Sequence, residues 1–285
     1  MSSYSENHIF IPIISDYGFK ATFGNEANTT FLKKALQALI KTERTIEEVR
    51  FDKNAFESLT IDSRSGIFDL SCTDDQGNQF VIEMQLGYAP QFIQRMKFYA
   101  LHKFNVMVEK GEFDYDNLPN LYAIAFLEKK LLPTDNFHTV SNLRSEKGEL
   151  IDRQMTFITV ELAKFDKELS DIKTDLDKLV YTMKTLHKTT ELTEFPQFWN
   201  EDWLKRAIEE LDTRKMTPEE RAYFARITAA NAEAVKAEKK RIEETKTSAI
   251  LKALKAGKLT LEEIADYNDV TLEYVSLIQQ KFLAK

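Results

Sequence analysis

The chain has 285 residues, 43% hydrophobic and 30% charged, with 20 Phe against only 8 Gly and 6 Pro, a composition that favours a packed core over a linker or a disordered tail. No apolar run is long enough to cross a bilayer, and the polar stretch Met1–His8 has no secretory core, so a cytoplasmic protein is expected. The net charge of −7 neither reveals nor excludes a nucleic-acid partner, because phosphates need only a local basic surface.

In chain order, the first predicted element is a helix capped by Asn28 and running to Ile40. Its apolar pairs Phe31/Leu32, Ala35/Leu36 and Leu39/Ile40 recur on one face. Two strands follow, Ile67–Thr73 and Gln79–Leu86, and then a helix over Gln91–Lys110 that stops at Gly111. The continuous apolar run Tyr122–Leu127 reads as a buried strand, and another is expected around Met155–Leu162. Beyond Asp175 the patterns are helical: Leu176–Leu186, then Leu204 to Lys255 with a restart at Thr217-Pro218, then two short helices within Leu259–Phe282. This order predicts an α/β core with a mixed central sheet flanked by helices, over residues 1–190, and a helical C-terminal extension over 191–285.

The two paired strands carry the candidate chemistry. A three-residue turn Asp75-Gln76-Gly77, with Gly77 in the left-handed third position, pairs Asp74 with Asn78. Counting back sets Asp69 opposite Glu83. One face then holds Asp69, Ser71, Val81, Glu83 and Gln85; the other is wholly apolar and must be buried. Opposed carboxylates repel unless a cation lies between them, and a divalent metal resolves the conflict. Cys72 is the only cysteine and sits in an apolar strand, where it is expected to be core. The four histidines make no zinc spacing. A metal site would therefore be built from carboxylates, which suits Mg²⁺ or Mn²⁺.

The stretch IFDLSCTDDQGNQFVIEMQ resembles the core signature of PD-(D/E)XK nucleases, in which an Asp on one strand precedes an acidic-X-Lys triplet on the next. Here the triplet is Glu83-Met84-Gln85, and its Glu-X-Gln form resembles the transposase-like, recombination-promoting nucleases called Rpn. FIPIISDYGFKATFG resembles the N-terminal block of that branch, Arg95 and Tyr99 match its Arg-X-X-X-Tyr pattern, and NLYAIAFL resembles the strand that follows. The likeness covers Phe10 to Leu132 well and extends loosely to Pro196. It implies a restriction-endonuclease-like core and a metal-dependent DNA endonuclease, with Asp69 and Glu83 as metal ligands and Gln85 in the place of the motif lysine. Gln85 carries no charge, and Lys20 is a candidate to restore it, with Asp16 as a further acidic site residue. For Arg95 and Tyr99 three roles stay open: contact with substrate phosphate, contact with the hairpin, or packing.

The C-terminal segment LTLEEIADYNDVTLEYVSLIQQ has the rhythm of a helix-turn-helix, with Asn268 expected in a left-handed turn. Its second helix offers few basic groups to a DNA groove, which favours packing or homo-oligomer formation over DNA reading. Lys236 to Lys258 is a basic strip that reads either as a nucleic-acid contact or as a solvated helix face. Two functions from different classes remain: an endonuclease cutting DNA phosphodiesters, and a catalytically inactive DNA-binding or protein-interaction relative that keeps the fold.

Overall fold

The computed structural model describes residues 9–52, 70–87, 91–107, 118–191, 195–268 and 270–283. It divides into two compact units, Met1–Thr217 and Pro218–Lys285. The first is built on a six-stranded mixed sheet in the order β1-β2-β3-β4-β6-β5. Its strands are β1 Val49–Phe51, β2 Leu70–Asp74, β3 Gln79–Gln85, β4 Leu121–Leu127, β5 His138–Arg144 and β6 Leu150–Glu161. The pairs β1/β2, β2/β3 and β5/β6 are antiparallel, while β3/β4 and β4/β6 are parallel. Helix α3, Phe92–Met107, supplies the crossover from β3 to parallel β4.

The β2–β3 turn is the one expected from the sequence. Gly77 has φ of 83°, and the register runs Thr73↔Gln79, Cys72↔Phe80, Ser71↔Val81 and Leu70↔Ile82. The Asp74 side chain fixes it from inside. Its Oδ1 accepts from the backbone N–H groups of Gln76 and Asn78, and its Oδ2 accepts from Asn78 Nδ2 and from Arg44 Nη2 at 2.5 Å. Arg44 also reaches Asp75, so the segment ahead of β1 is tied to the tip of the next hairpin.

Both faces of the sheet are covered. Val81, Ala123, Ala125 and Leu127 pack under Phe92, Met96, Tyr99 and Ala100 of α3. Because side chains alternate along a strand, Ile82, Ile124 and Phe126 point to the opposite face. There Phe126 meets Phe23, which follows helix α1, Asp16–Thr22, and Phe23 in turn meets Phe31 of helix α2, Thr30–Ile40. The buried positions of α2 are Phe31, Leu32, Ala35, Leu36 and Leu39, as the periodicity requires, and Asn28 Oδ1 accepts from Thr30 N at the helix start. Helix α3 roofs the face that carries Glu83, which is only 7% exposed.

Helix α1, β1 and β5 were not foreseen. α1 is short and exists because Ser15 caps it and Gly18 crosses the chain; a Cβ on Gly18 would come within 2.0 Å of the Pro12 carbonyl oxygen. β5 is largely exposed and polar, so it has no apolar alternation to announce it.

The first unit continues past the residue-190 boundary expected from the sequence. After α4, Asp175–Thr185, helix α5, Asp202–Glu210, brings Trp203 against Phe31. The chain beyond α5 then pairs with the N-terminal segment: Ile11 N donates to Leu211 O and Thr213 N to Ile9 O. These bonds join segments some 200 residues apart and draw α5 into the sheet-bearing unit.

The second unit holds α6, Pro218–Ala256, α7, Leu261–Tyr267, and α8, Leu272–Leu283. Its core is Ile250, Ile264, Ala265, Val275 and Ile278, with Leu261, Val270 and Tyr274 packed against it; all but Ile250 are the apolar positions that the helix-turn-helix rhythm of the sequence marks for burial. The turn differs from expectation at Asn268, which has φ of −102°, outside the left-handed region, and whose Nδ2 donates to the Ile264 carbonyl at the end of α7. Among the described residues no helix is long and apolar enough to cross a membrane.

Asp74→Ala removes the acceptor for two backbone donors and for the half-buried Arg44 guanidinium. It should lower unfolding stability by about 3 kcal/mol, read from the urea midpoint.

Candidate active site

The site face of the hairpin is defined by the observed register. Ser71 opposes Val81 and Thr73 opposes Gln79, so Ser71, Thr73, Gln79, Val81, Glu83 and Gln85 share the face beneath α3. The described pairing ends at Leu70↔Ile82, and Asp69 lies outside the described residues.

Arg95 projects from α3 onto this row. Its Nη2 donates to Glu83 Oε1 at 2.9 Å and to Gln85 Oε1 at 2.6 Å. Gln85 is oriented by its own nitrogen, which donates to the Leu86 carbonyl at 2.7 Å and leaves the oxygen facing Arg95. The guanidinium also lies 5.1 Å from the Phe92 ring centre, a cation–π contact. Arg95 is thus in contact with the hairpin. Tyr99 is buried one turn further along. Burial raises its phenol pKa; the Arg95 charge opposes the shift and the Glu83 charge adds to it.

A second ionic contact on the same helix had no place in the sequence reading. Lys103, 6% exposed, donates to Asp52 Oδ2 at 2.8 Å. Ser71 Oγ donates to the same oxygen at 2.7 Å and Thr73 Oγ1 to Oδ1 at 3.1 Å. Asp52 immediately follows the three-residue β1, too short to leave a periodic signal. Lys103 did have one, since Arg95, Tyr99 and Lys103 fall at four-residue steps along one helix face. A further buried carboxylate, Glu161, ends β6. It accepts from the backbone N–H groups of Leu131 and Leu132 and from Lys164, and so clamps the loop after β4.

Asp16 and Lys20 are brought to each other at 3.3 Å, as an exposed i,i+4 pair on α1. The aromatic side of that segment packs through Phe23 on Phe126, the sheet face opposite Glu83. None of the described contacts joins Asp16 or Lys20 to Glu83 or Gln85. The N-terminal block is thus legible as packing, with Ile11, Ile13, Phe19 and Phe23 buried and the charged pair turned outward.

For a cation, the described residues offer a carboxylate oxygen and an amide oxygen converging on one position, now held by a positively charged nitrogen. That donor set suits a hard metal ion. Among the described residues there is no group of three or more His, Cys, Asp or Glu that could hold one unaided.

A mixed sheet flanked by helices, with an acidic-X-Gln strand buried under the crossover helix, defines a restriction-endonuclease-like core. The chain belongs to the PD-(D/E)XK nuclease family transposases, whose family model matches residues 13–238. The match runs beyond the loose likeness to Pro196 and into α6. Neither a curated protein nor a solved structure matches the chain significantly.

Two measurements probe the hairpin that carries the site. Lys103→Met should cost about 2 kcal/mol in urea unfolding, because Asp52 keeps its hydroxyl donors but loses its cation, and adding Asp52→Asn should recover most of the loss. Cys72 is fully buried, and burial, with the Asp52 and Asp74 charges, pushes its thiol well above the ordinary range. A thiol reagent at pH 8 should therefore label the native protein negligibly and the urea-unfolded chain at one site.

Proposed function

We propose that the protein is a divalent-metal-dependent DNA endonuclease, serving transposition or recombination, that hydrolyses phosphodiester bonds at the Glu83 hairpin with Mg²⁺ or Mn²⁺. Membership of a nuclease and transposase family supports the reaction class and the DNA substrate. The observation that carries the site assignment is the convergence of Glu83 Oε1 and Gln85 Oε1 on a single cationic nitrogen.

In this reading Asp69 and Glu83 are the carboxylates that hold the ion. The bound ion supplies an activated water and neutralises charge on the phosphate oxygens. Glu83 contributes a carboxylate shielded from bulk water by α3, where electrostatic interactions are stronger than at the surface. Gln85 keeps its oxygen turned into the site because its nitrogen is engaged by Leu86. Tyr99 keeps its proton, since burial raises its pKa, and is a hydrogen-bond donor for a phosphate oxygen. Asp16 and Lys20, paired with each other, are given no chemical step.

Nicking of supercoiled plasmid with Mg²⁺ or Mn²⁺, run beside thermal melting, tests the reading. Asp69→Asn and Glu83→Gln should each lower the rate on the order of 10²-fold or more without unfolding the protein. Gln85→Ala should be milder, whereas Gln85→Lys would set a second cation against Arg95 and should be more damaging than Gln85→Ala. Undiminished nicking by well-folded Glu83→Gln would place the chemistry elsewhere. Absence of any metal-dependent nicking by the native sequence would favour the alternative, a binding protein that retains the nuclease fold.

A further inference from the structure

We infer that Arg95 is a resident counter-cation that competes with the divalent ion for Glu83, and that Gln85 is the second anchor that keeps its guanidinium at the site. The inference rests on the metal-site reading above and deepens it.

A carboxylate as buried as Glu83 is costly without a cation nearby. Arg95 supplies that charge from the neighbouring helix. The manner of attachment is informative. An arginine used purely as a structural partner commonly grips a carboxylate with two parallel N–H groups. Here one nitrogen serves both Glu83 and Gln85, while the buried Nε of Arg95 has no hydrogen-bond partner among the described residues. Nη2 thus sits where two oxygen donors meet, as a metal ion would.

The two occupants exclude one another. A Mg²⁺ or Mn²⁺ ion lies about 2 Å from its oxygen ligands. A guanidinium nitrogen bonded to the same Glu83 oxygen would lie within a few ångströms of a doubly charged ion. Repulsion at that distance in a largely buried site opposes joint occupancy. Arg95 has somewhere else to rest: its side chain is 34% exposed and lies against the Phe92 ring. Ion binding and the Arg95–Glu83 bond are therefore negatively coupled, and each weakens the other by the same factor.

This sets the expected signs. Loss of the Arg95 charge should tighten metal binding while lowering the stability of the metal-free protein. A merely structural arginine would give the opposite pairing, with weaker binding in a looser site. The experiment is titration of the full chain with Mn²⁺ alone, without DNA, following free Mn²⁺ by electron paramagnetic resonance and melting by circular dichroism. Arg95→Gln should bind Mn²⁺ about tenfold more tightly than the native sequence. It should melt lower without the ion and gain more in Tm when the ion is added. Arg95→Lys keeps the charge and should bind close to the native level. Arg95→Met, whose apolar stem can repack on Phe92, replaces Arg95→Gln should the latter not fold. Binding by the neutral variants that equals or falls below the native level, while Glu83→Gln loses binding, would overturn the role of Arg95 and leave the metal site standing. Glu83→Gln binding Mn²⁺ as well as the native sequence would overturn the metal site at Glu83, and the competition with it.

Discussion

Helix α3 lies across the sheet on two ionic contacts set in an otherwise apolar interface, and the arrangement of the site depends on them. Phe92, Met96 and Ala100 bury the helix against Val81, Ala123 and Ala125, which fixes its distance from the sheet but leaves sliding and rotation weakly specified. Arg95 on Glu83 and Gln85, with Lys103 on Asp52 two turns further along, specifies both. Contacts that lose much of their energy when displaced suit this task, because an unpaired buried charge is far more costly than a misplaced methyl group. The same contacts place positive charge over the strand that carries the acidic-X-Gln triplet.

That arrangement gives a physical meaning to the glutamine in the triplet. A lysine at position 85 would bring its own charge to the strand. Gln85 brings none, but its oxygen receives one from Arg95, and its nitrogen is satisfied by the Leu86 carbonyl. The positive charge beside the triplet is supplied from the helix and not from the strand. Nothing in the described contacts gives this part to Lys20, whose partner is Asp16 on its own helix.

Around this centre, the remaining carboxylates with many partners serve as architecture. Asp74 organises the hairpin turn and draws Arg44 onto it, and Glu161 gathers the loop after β4. Both sit at the ends of strands, where backbone N–H groups would otherwise be left without partners. The N-terminal block works in the same sense: Gly18 allows close approach to Pro12, and Phe19 and Phe23 stack at 4.7 Å beneath α2 and β4. Its residual polarity, Asp16 and Lys20, is the outer face of a short amphipathic helix.

The sequence by itself determined the local order of the hairpin. Gly77, at the end of a three-residue turn between alternating strands, set the register from Thr73↔Gln79 to Leu70↔Ile82, because turn length and side-chain alternation are properties of neighbouring residues. The buried face of α2, the buried run of β4, the Pro218 restart of α6 and the apolar set of the final helices were legible for the same reason. The Asp69 half of the predicted pair falls outside the described residues. Only the tertiary structure decided that the Glu83 face is roofed, that Arg95 meets Glu83 and Gln85, and that Asp52 joins Lys103. It also decided that residues 211–213 close onto the N-terminal segment through backbone bonds spanning some 200 positions. Such contacts join segments with no periodic relation to one another, so they exist only once helix and sheet have packed.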